Sequence, residues 1–380
     1  MSLSEKLSSY WRTIQGELFP WLEESLGSLT ESHKRLVVVL EVANIGAFVR
    51  HWHGLPGRPT AERASLARAF VAKAVWNLPT TEALIDRLQV DKPLRRLCGY
   101  GRVGAVPSAS TFSRAFAEFA ASQLPTKVHE AVIAATQKER LIGHVSRDST
   151  AIEGREKPAR HAAPTVEEKP ARKRGRPKKG KERLPGPTRI ERQSGMTLNE
   201  MLDDLPTACD VGTKCNAKGY KVSWIGYKLH LDVADGGIPI SCVLTSASVH
   251  DSQVAIPLAT LTAMRVTSLY DLMDSAYDVA AIKEHSRSLG HVPIIDENPR
   301  STKGRKEEIA AEAKARHLLN HPSAEDIRYH ERTTAERANA RIKDDLGGDT
   351  VRVQGAAKVM CHLMFGVLVL TVEQVMRLVT

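Results

Sequence analysis

The chain has 380 residues, 42% of them hydrophobic, enough for one large domain or two and for a sizeable buried core. Lysine and arginine total 54 against 44 acidic residues, so the formal charge is +10 and a polyanion is the first partner class to test. Aromatics at 5% are too few for a sheet that stacks bases, and five cysteines without a CxxC pair argue against a disulfide scaffold or zinc ribbon. That cysteine usage fits a reducing, cytoplasmic setting. The opening MSLSEKLSSYWRTIQ lacks the pattern of a signal peptide, and the apolar run 359–372 is shorter than the roughly 20 residues of a membrane span, so no membrane partner is expected.

The charge is uneven along the chain. Residues 1–140 carry a net +5, residues 153–194 a net +8, and the remainder is slightly acidic. Residues 1–140 read as an all-α N-terminal domain. Ala64 to Leu78 repeats apolar residues at helical steps, a second stretch follows with Thr80 or Thr81 as its cap, and Pro107 with Ser108 and Ser110 opens a third. Short helices, tight turns and Arg114 resemble a helix-turn-helix; an ordinary helical bundle is an equal reading.

Residues 153–194 hold six prolines, no aromatic residue, and only Val166, Leu184 and Ile190 among large aliphatics. Such a segment buries too little to offset its ordering entropy and is expected to be a disordered basic insert. At its centre Arg174-Gly175-Arg176-Pro177, flanked by further cations, resembles an AT-hook, which lays a slim extended backbone in a narrow A·T minor groove. A solvated basic linker is the plainer alternative.

The rest alternates strand and helix signals. Strands are predicted over Leu141–Thr150, Val222–Val233, Ile238–Ser246, Leu269–Met273 and His291–Asp296, with helices after His250, over Val279–Leu289 and over Thr333–Leu346. That order implies an α/β fold, a mixed sheet flanked by helices. The apolar stretch Gly355–Leu378 reads as a core helix.

Phosphoryl transfer on DNA needs carboxylates that hold two divalent cations. Three acids stand where such a cluster is buildable: Asp148 at the end of the first strand, Asp274 closing Leu269–Asp274, and Glu336 inside the late helix. Around the last, Tyr329, Arg332, Glu336 and Lys343 match a Y-x2-R-x3-E-x6-K pattern. With Gly226–His230, Leu244–Asp251 and Asp274–Asp278, the chain resembles the DDE transposases of bacterial insertion sequences. Arg332, Glu336 and Lys343 are spaced to share one helix face, so a metal-directed carboxylate would be flanked by cations for DNA phosphates.

The resemblance implies a ribonuclease-H-like catalytic domain over 141–380, interrupted by 153–194, with 1–140 binding DNA ends. It implies two Mg²⁺ or Mn²⁺ ions on Asp148, Asp274 and Glu336, and DNA contacts from Tyr329, Arg332 and Lys343. The reaction implied is strand cleavage and strand transfer of an insertion sequence, with double-stranded element ends and target DNA as partners and a homodimer or higher assembly on DNA. A nuclease of the same fold that never joins, or a non-catalytic DNA-binding protein, are the alternatives. Asp271 flanks Asp274, which is preferred because it lies three before Tyr277; Asp210 and Asp251 read as caps or turns. His51/His53 and His317/His321 have ligand-like spacing without a second pair; His230 and His250 fall within the family-like runs, which leaves a role near the site open. About 35 residues separate the last strand from the glutamate helix, too few for an extra β-domain.

Overall fold

The computed structural model describes residues 3–49, 61–159, 187–215, 219–299, 303–318 and 324–379. Eight helices come first: α1 (Leu3–Thr13), α2 (Phe19–Leu26), α3 (Glu31–Ala43), α4 (Arg63–Val75), α5 (Thr81–Val90), α6 (Lys92–Leu97), α7 (Ala109–Ala121) and α8 (Leu124–Thr136). Their starts are set locally. Thr80 Oγ1 accepts the Ala83 N–H at 3.0 Å and Asp91 Oδ1 the Leu94 N–H at 3.0 Å, satisfying donors that a first helical turn leaves open. On α7, Phe112, Phe116 and Phe119 recur at helical spacing, and all three pack on Phe70 of α4, with ring centroids 5.0–6.2 Å apart.

The sheet follows. In chain order come β1 (Leu141–Glu153), α9 (Arg189–Gln193), α10 (Leu198–Asp203), β2 (Asp210–Cys215), β3 (Lys221–Ala234), β4 (Ile238–Ser246), α11 (Ser252–Ala263), β5 (Thr267–Met273), α12 (Ala280–Ser288) and β6 (Val292–Ile295). Helices α13 (Lys303–Leu318), α14 (Ala324–Tyr329), α15 (Thr333–Asp344) and α16 (Ala356–Arg377) complete the chain. The long strand β3 pairs antiparallel with β1, β4 and β2, while β1, β5 and β6 run parallel. Parallel pairing requires crossovers, and α11 and α12 supply them. This is the mixed, helix-flanked sheet of a ribonuclease-H-like fold. The interval before α15 is filled by α13 and α14, as the short spacing required.

Gly226, which opens the Gly226–His230 run, sits where β3 meets the end of β1. Its φ is +153°, and a Cβ there would stand 2.1 Å from the Ile152 carbonyl oxygen and 2.5 Å from Gly154 N. No L side chain fits that approach.

Three expectations need correction. β1 continues three residues past Thr150, to Glu153. Residues 188–193, assigned by composition to a disordered insert, begin with a Thr188/Glu191 capping box and form α9. Ile190 packs there on the cluster around Met201 and Ile256. Residues 160–186, including Arg174, Gly175, Arg176 and Pro177, lie outside the described residues. Strand β2 was not foreseen, because its DVGTKC run lacks an apolar alternation.

One core joins both halves of the chain. Phe70, Phe112 and Phe116 belong to the same buried cluster as Leu229, Leu231 and Val233 of β3, with α16 contributing Leu363, Phe365 and Leu368. The sequence boundary near residue 140 is therefore not a break in the packing. At 22 residues α16 is long and apolar enough to cross a membrane, but 83% of its apolar window is buried inside the fold. Each large apolar side chain so buried contributes about 1.5–3 kcal/mol.

Candidate active site

The parallel pairing of β1 with β5 ends at Ser146–Leu272. Two residues further along each strand stand Asp148 and Asp274, level with each other and on the same face of the sheet. Asp274 ends its strand, and its carboxylate accepts the Ala276 N–H at 2.9 Å, closing a 3₁₀ turn over Ser275–Tyr277. Helix α15 lies on this face. It buries Ala335, Ala338 and Ile342, and Asn339 donates from Nδ2 to Asp148 Oδ2 at 3.0 Å. Glu336 is one turn before Asn339 on the same helix.

Both aspartates are uneasy as anions. Burial pushes Asp148 up to about 6, with the Asp274 charge adding to it, while bonds from Ser149 and Asn339 and the Arg332 charge restrain it. Burial raises Asp274 as well, helped by Asp251 and Asp296 and opposed by the Ala276 N–H and Arg332. Glu336 is half-exposed and accepts from Arg332 Nη2 at 2.7 Å. Despite its own burial, Arg332 is held charged by Tyr329, Glu336 and Asp148. This one guanidinium thus serves all three carboxylates. Among the described residues, no group of three or more His, Cys, Asp and Glu is gathered in a metal-holding arrangement. The structure brings Asp148 and Asp274 together and leaves Glu336 turned to Arg332.

The other sequence-selected residues separate into rim and distant positions. Tyr329 donates its hydroxyl to Asp296 Oδ2 at 2.6 Å, and its ring lies 5.5 Å from the Arg332 guanidinium. Lys343, near the far end of α15, pairs with Asp349 at 3.3 Å instead of flanking Glu336. Asp271 faces the opposite side of the sheet, buried, and accepts from Ser286 Oγ at 2.5 Å and His291 Nδ1 at 3.1 Å. Asp210, expected to cap or turn the chain, instead opens β2, paired with Gly226, and accepts the Val211 N–H at 2.8 Å.

Asp251 stands at the start of α11 yet makes no cap bond there. Its carboxylate takes Lys228 Nζ at 2.9 Å beside the site, and His230 and Lys228 keep it ionised although burial opposes this. The capping contact comes from His250 Nδ1, which accepts the Ser252 N–H at 3.3 Å. His230 is core, bonded to Thr245 Oγ1 at 2.9 Å. The pairs His51/His53 and His317/His321 fall wholly or partly outside the described residues.

Sequence reasoning missed several participants. Asn339 carried a signal, since it lies three residues after Glu336 on one helix face. Tyr277 is fully buried with no partner for its hydroxyl; burial first, then the charges of Asp251, Asp148 and Asp274, keep it protonated. On the opposite face of β1, Arg147 grips Asp232 through Nε–Oδ1 at 2.8 Å and Nη2–Oδ2 at 2.7 Å, and Thr262 adds a bond at 2.7 Å. That pair anchors the residue next to Asp148.

The ribonuclease-H-like sheet thus carries two aspartates at adjacent strand ends, with an acid-bearing helix across them. Residues 205–372 match the family described as Transposase DDE domain, and residues 24–118 match Transposase domain (DUF772). The chain belongs to the DDE transposases of insertion-sequence type, a family whose substrate is DNA. Asp274 and Glu336 lie within the first match, whereas Asp148 precedes it. No curated protein and no solved structure matches the chain significantly.

Proposed function

We propose that this chain cleaves DNA strands at the ends of its element and transfers them to target DNA, with Asp148, Asp274 and Glu336 as its working carboxylates. The observation that carries the proposal is the placement of Asp148 beside Asp274 at the ends of two parallel strands, under the helix that bears Glu336.

Divalent cations suit this donor set. Two hard carboxylates, each destabilised as an anion by burial and by its acidic neighbours, form a site that a cation relieves. Mg²⁺ or Mn²⁺ would be held by Asp148 and Asp274 with Glu336 as the third ligand. When bound, such a pair of ions activates the attacking oxygen and stabilises the departing one.

The chain's own residues do the rest. Asn339 fixes the orientation of Asp148, and the Ala276 N–H fixes that of Asp274. Arg332, near the Tyr329 ring, offers a guanidinium to the phosphate being cut, and Lys343 would extend the contact along the strand on exchanging Asp349 for a phosphate. In cleavage, water adds to phosphorus, the P–O3′ bond breaks, and the water's proton is lost to solvent as the 3′ oxygen gains one. In transfer, the freed 3′-OH adds to a target phosphorus and displaces that strand's own 3′ oxygen.

Residues 1–140 serve to bind the element ends, and Arg174-Gly175-Arg176-Pro177 serves as a minor-groove anchor for A·T-rich DNA. Because two ends must be held, the working form is a homodimer or larger assembly on DNA. The direct test is Asp148→Asn, Asp274→Asn and Glu336→Gln, each expected to bind end DNA and lose cleavage. Full cleavage by any of the three removes that residue from the mechanism. A precleaved end with a free 3′-OH tests joining; cleavage without joining would make the protein a nuclease.

A further inference from the structure

Away from the carboxylates, a cavity of about 290 Å³ opens between the helical half and the segments that follow β1 and α15. Phe70, Phe116 and Phe365 line it, together with the first turn of α5. Lys73 of α4, Arg155 just beyond β1 and Arg352 of the loop before α16 all line it too. No hydrogen bond or ion pair involves the side chain of any of these three cations among the described residues, whereas Arg332, Arg341 and Lys343 nearby in sequence are all paired. None of Asp148, Asp274 and Glu336 lines this cavity.

We propose that this cavity is a phosphate-binding pocket that takes one backbone phosphate of the DNA substrate. Cations brought together without a counter-charge repel one another, and the fold maintains that arrangement at a cost. Lys73 registers it: burial, and then the Arg352 charge, lower its pKa to about 8. His362 on the same wall is neutral, lowered to about 4 by burial and then by Lys73, and its Nε2 donates to the Gly347 carbonyl at 2.9 Å. It therefore adds no charge. The lining carboxylate is Glu82, exposed and outside ion-pair distance of the three cations. An anion seated between Lys73 and Arg352 satisfies both, and the planar guanidiniums of Arg155 and Arg352 match phosphate oxygens in pairs. The N-terminal turn of α5 adds its positive dipole end to the same wall.

The position favours a polymer phosphate over a free one. The three cations come from separate parts of the chain, and both arginines are exposed at the rim, where a strand passes. Arg155 also belongs to the stretch of net +8. A phosphate held here would tie DNA to the junction of the helical half and the sheet. The inference rests on DNA being the substrate and not on the three carboxylates.

The test is a binding titration of the full chain with a short labelled mixed-sequence duplex, across a salt series and without divalent metal, so that no cleavage is involved. Arg155→Gln with Arg352→Gln, and the same pair with Lys73→Met, are expected to weaken binding. They should also reduce the slope of log affinity against log salt by about 1, the signature of one lost phosphate contact. Should Lys73→Met fail to fold, the double variant at exposed arginines carries the test alone. An unchanged slope overturns the proposal. Pyrophosphate binding that the variants abolish while the DNA slope stays unchanged would make the pocket a free-anion site, and overturns the DNA assignment. Asp148→Asn, titrated alongside, keeps this result separate from the cleavage reading.

Discussion

Asn339 on α15 donates to Asp148 on β1 across 3.0 Å, joining residues 191 positions apart. The bond makes the acid-bearing helix and β1 a single unit. It also leaves Asn339 Oδ1 buried without a partner, so the amide is oriented by one contact alone.

Asn339→Ala is therefore expected to cost about 1 kcal/mol of stability, the worth of one such bond. Cleavage should fall more, roughly 10- to 100-fold, because a carboxylate freed to rotate no longer meets its target geometry. Urea unfolding and single-turnover cleavage, with end binding as the control, measure the two effects. Unaltered cleavage would show that Asp148 needs no holder.

Arg147 and Asp232 are both buried and doubly bonded, at 2% and 0% side-chain exposure. Asp232→Ala leaves the guanidinium unpaired and strands Thr262, and is expected to cost about 3–5 kcal/mol. Replacing both partners by apolar residues, Arg147→Met with Asp232→Leu, should recover most of that loss, since neither charge of the pair is left without the other, and Asp271 keeps its bonds from Ser286 and His291. Equal destabilisation of the single and double variants in chemical denaturation would mean that the pair itself, and not the orphaned charge, supports β1.

Gly226→Ala places a methyl group 2.1 Å from the Ile152 carbonyl oxygen at a φ of +153°. The expected loss is about 3 kcal/mol or more, because the neighbours are backbone and do not yield. Thermal unfolding reads it directly. A melting temperature close to wild type would mean that β1 and β3 part easily at that end.

Acid should weaken the fold through buried histidines. His129 donates from Nε2 to the Pro239 carbonyl at 2.9 Å, and burial, then Arg265, lowers its pKa to about 4. In the unfolded chain a histidine titrates near 6.5. Between these values the unfolded state holds the extra proton, so stability rises with pH. The contribution is complete above about 6.5 and is lost as the pH falls toward 4. Within that window each drop of one pH unit removes at most about 1.4 kcal/mol. Urea midpoints between pH 7 and 4.5 should fall more steeply for wild type than for His129→Gln. Parallel lines would mean that His129 is not the group responsible.

Much of this protein was determined by its sequence alone. Most of the strand and helix order (β2 and α9 excepted), the positions of Asp148, Asp274 and Glu336, and the Tyr329–Arg332–Glu336–Lys343 run are local patterns, legible because periodicity and capping act over a few residues. Other features were decided by tertiary structure. Asp251 turned from the cap of α11 to Lys228, Lys343 turned to Asp349, and residues 188–193 folded where composition predicted none. Arg147 found Asp232 across 85 positions, and Lys73, Arg155 and Arg352 converged on one cavity. α16 tied both halves into one core. Such contacts depend on strand register and on which helix face is buried, and a single sequence carries no local mark of either.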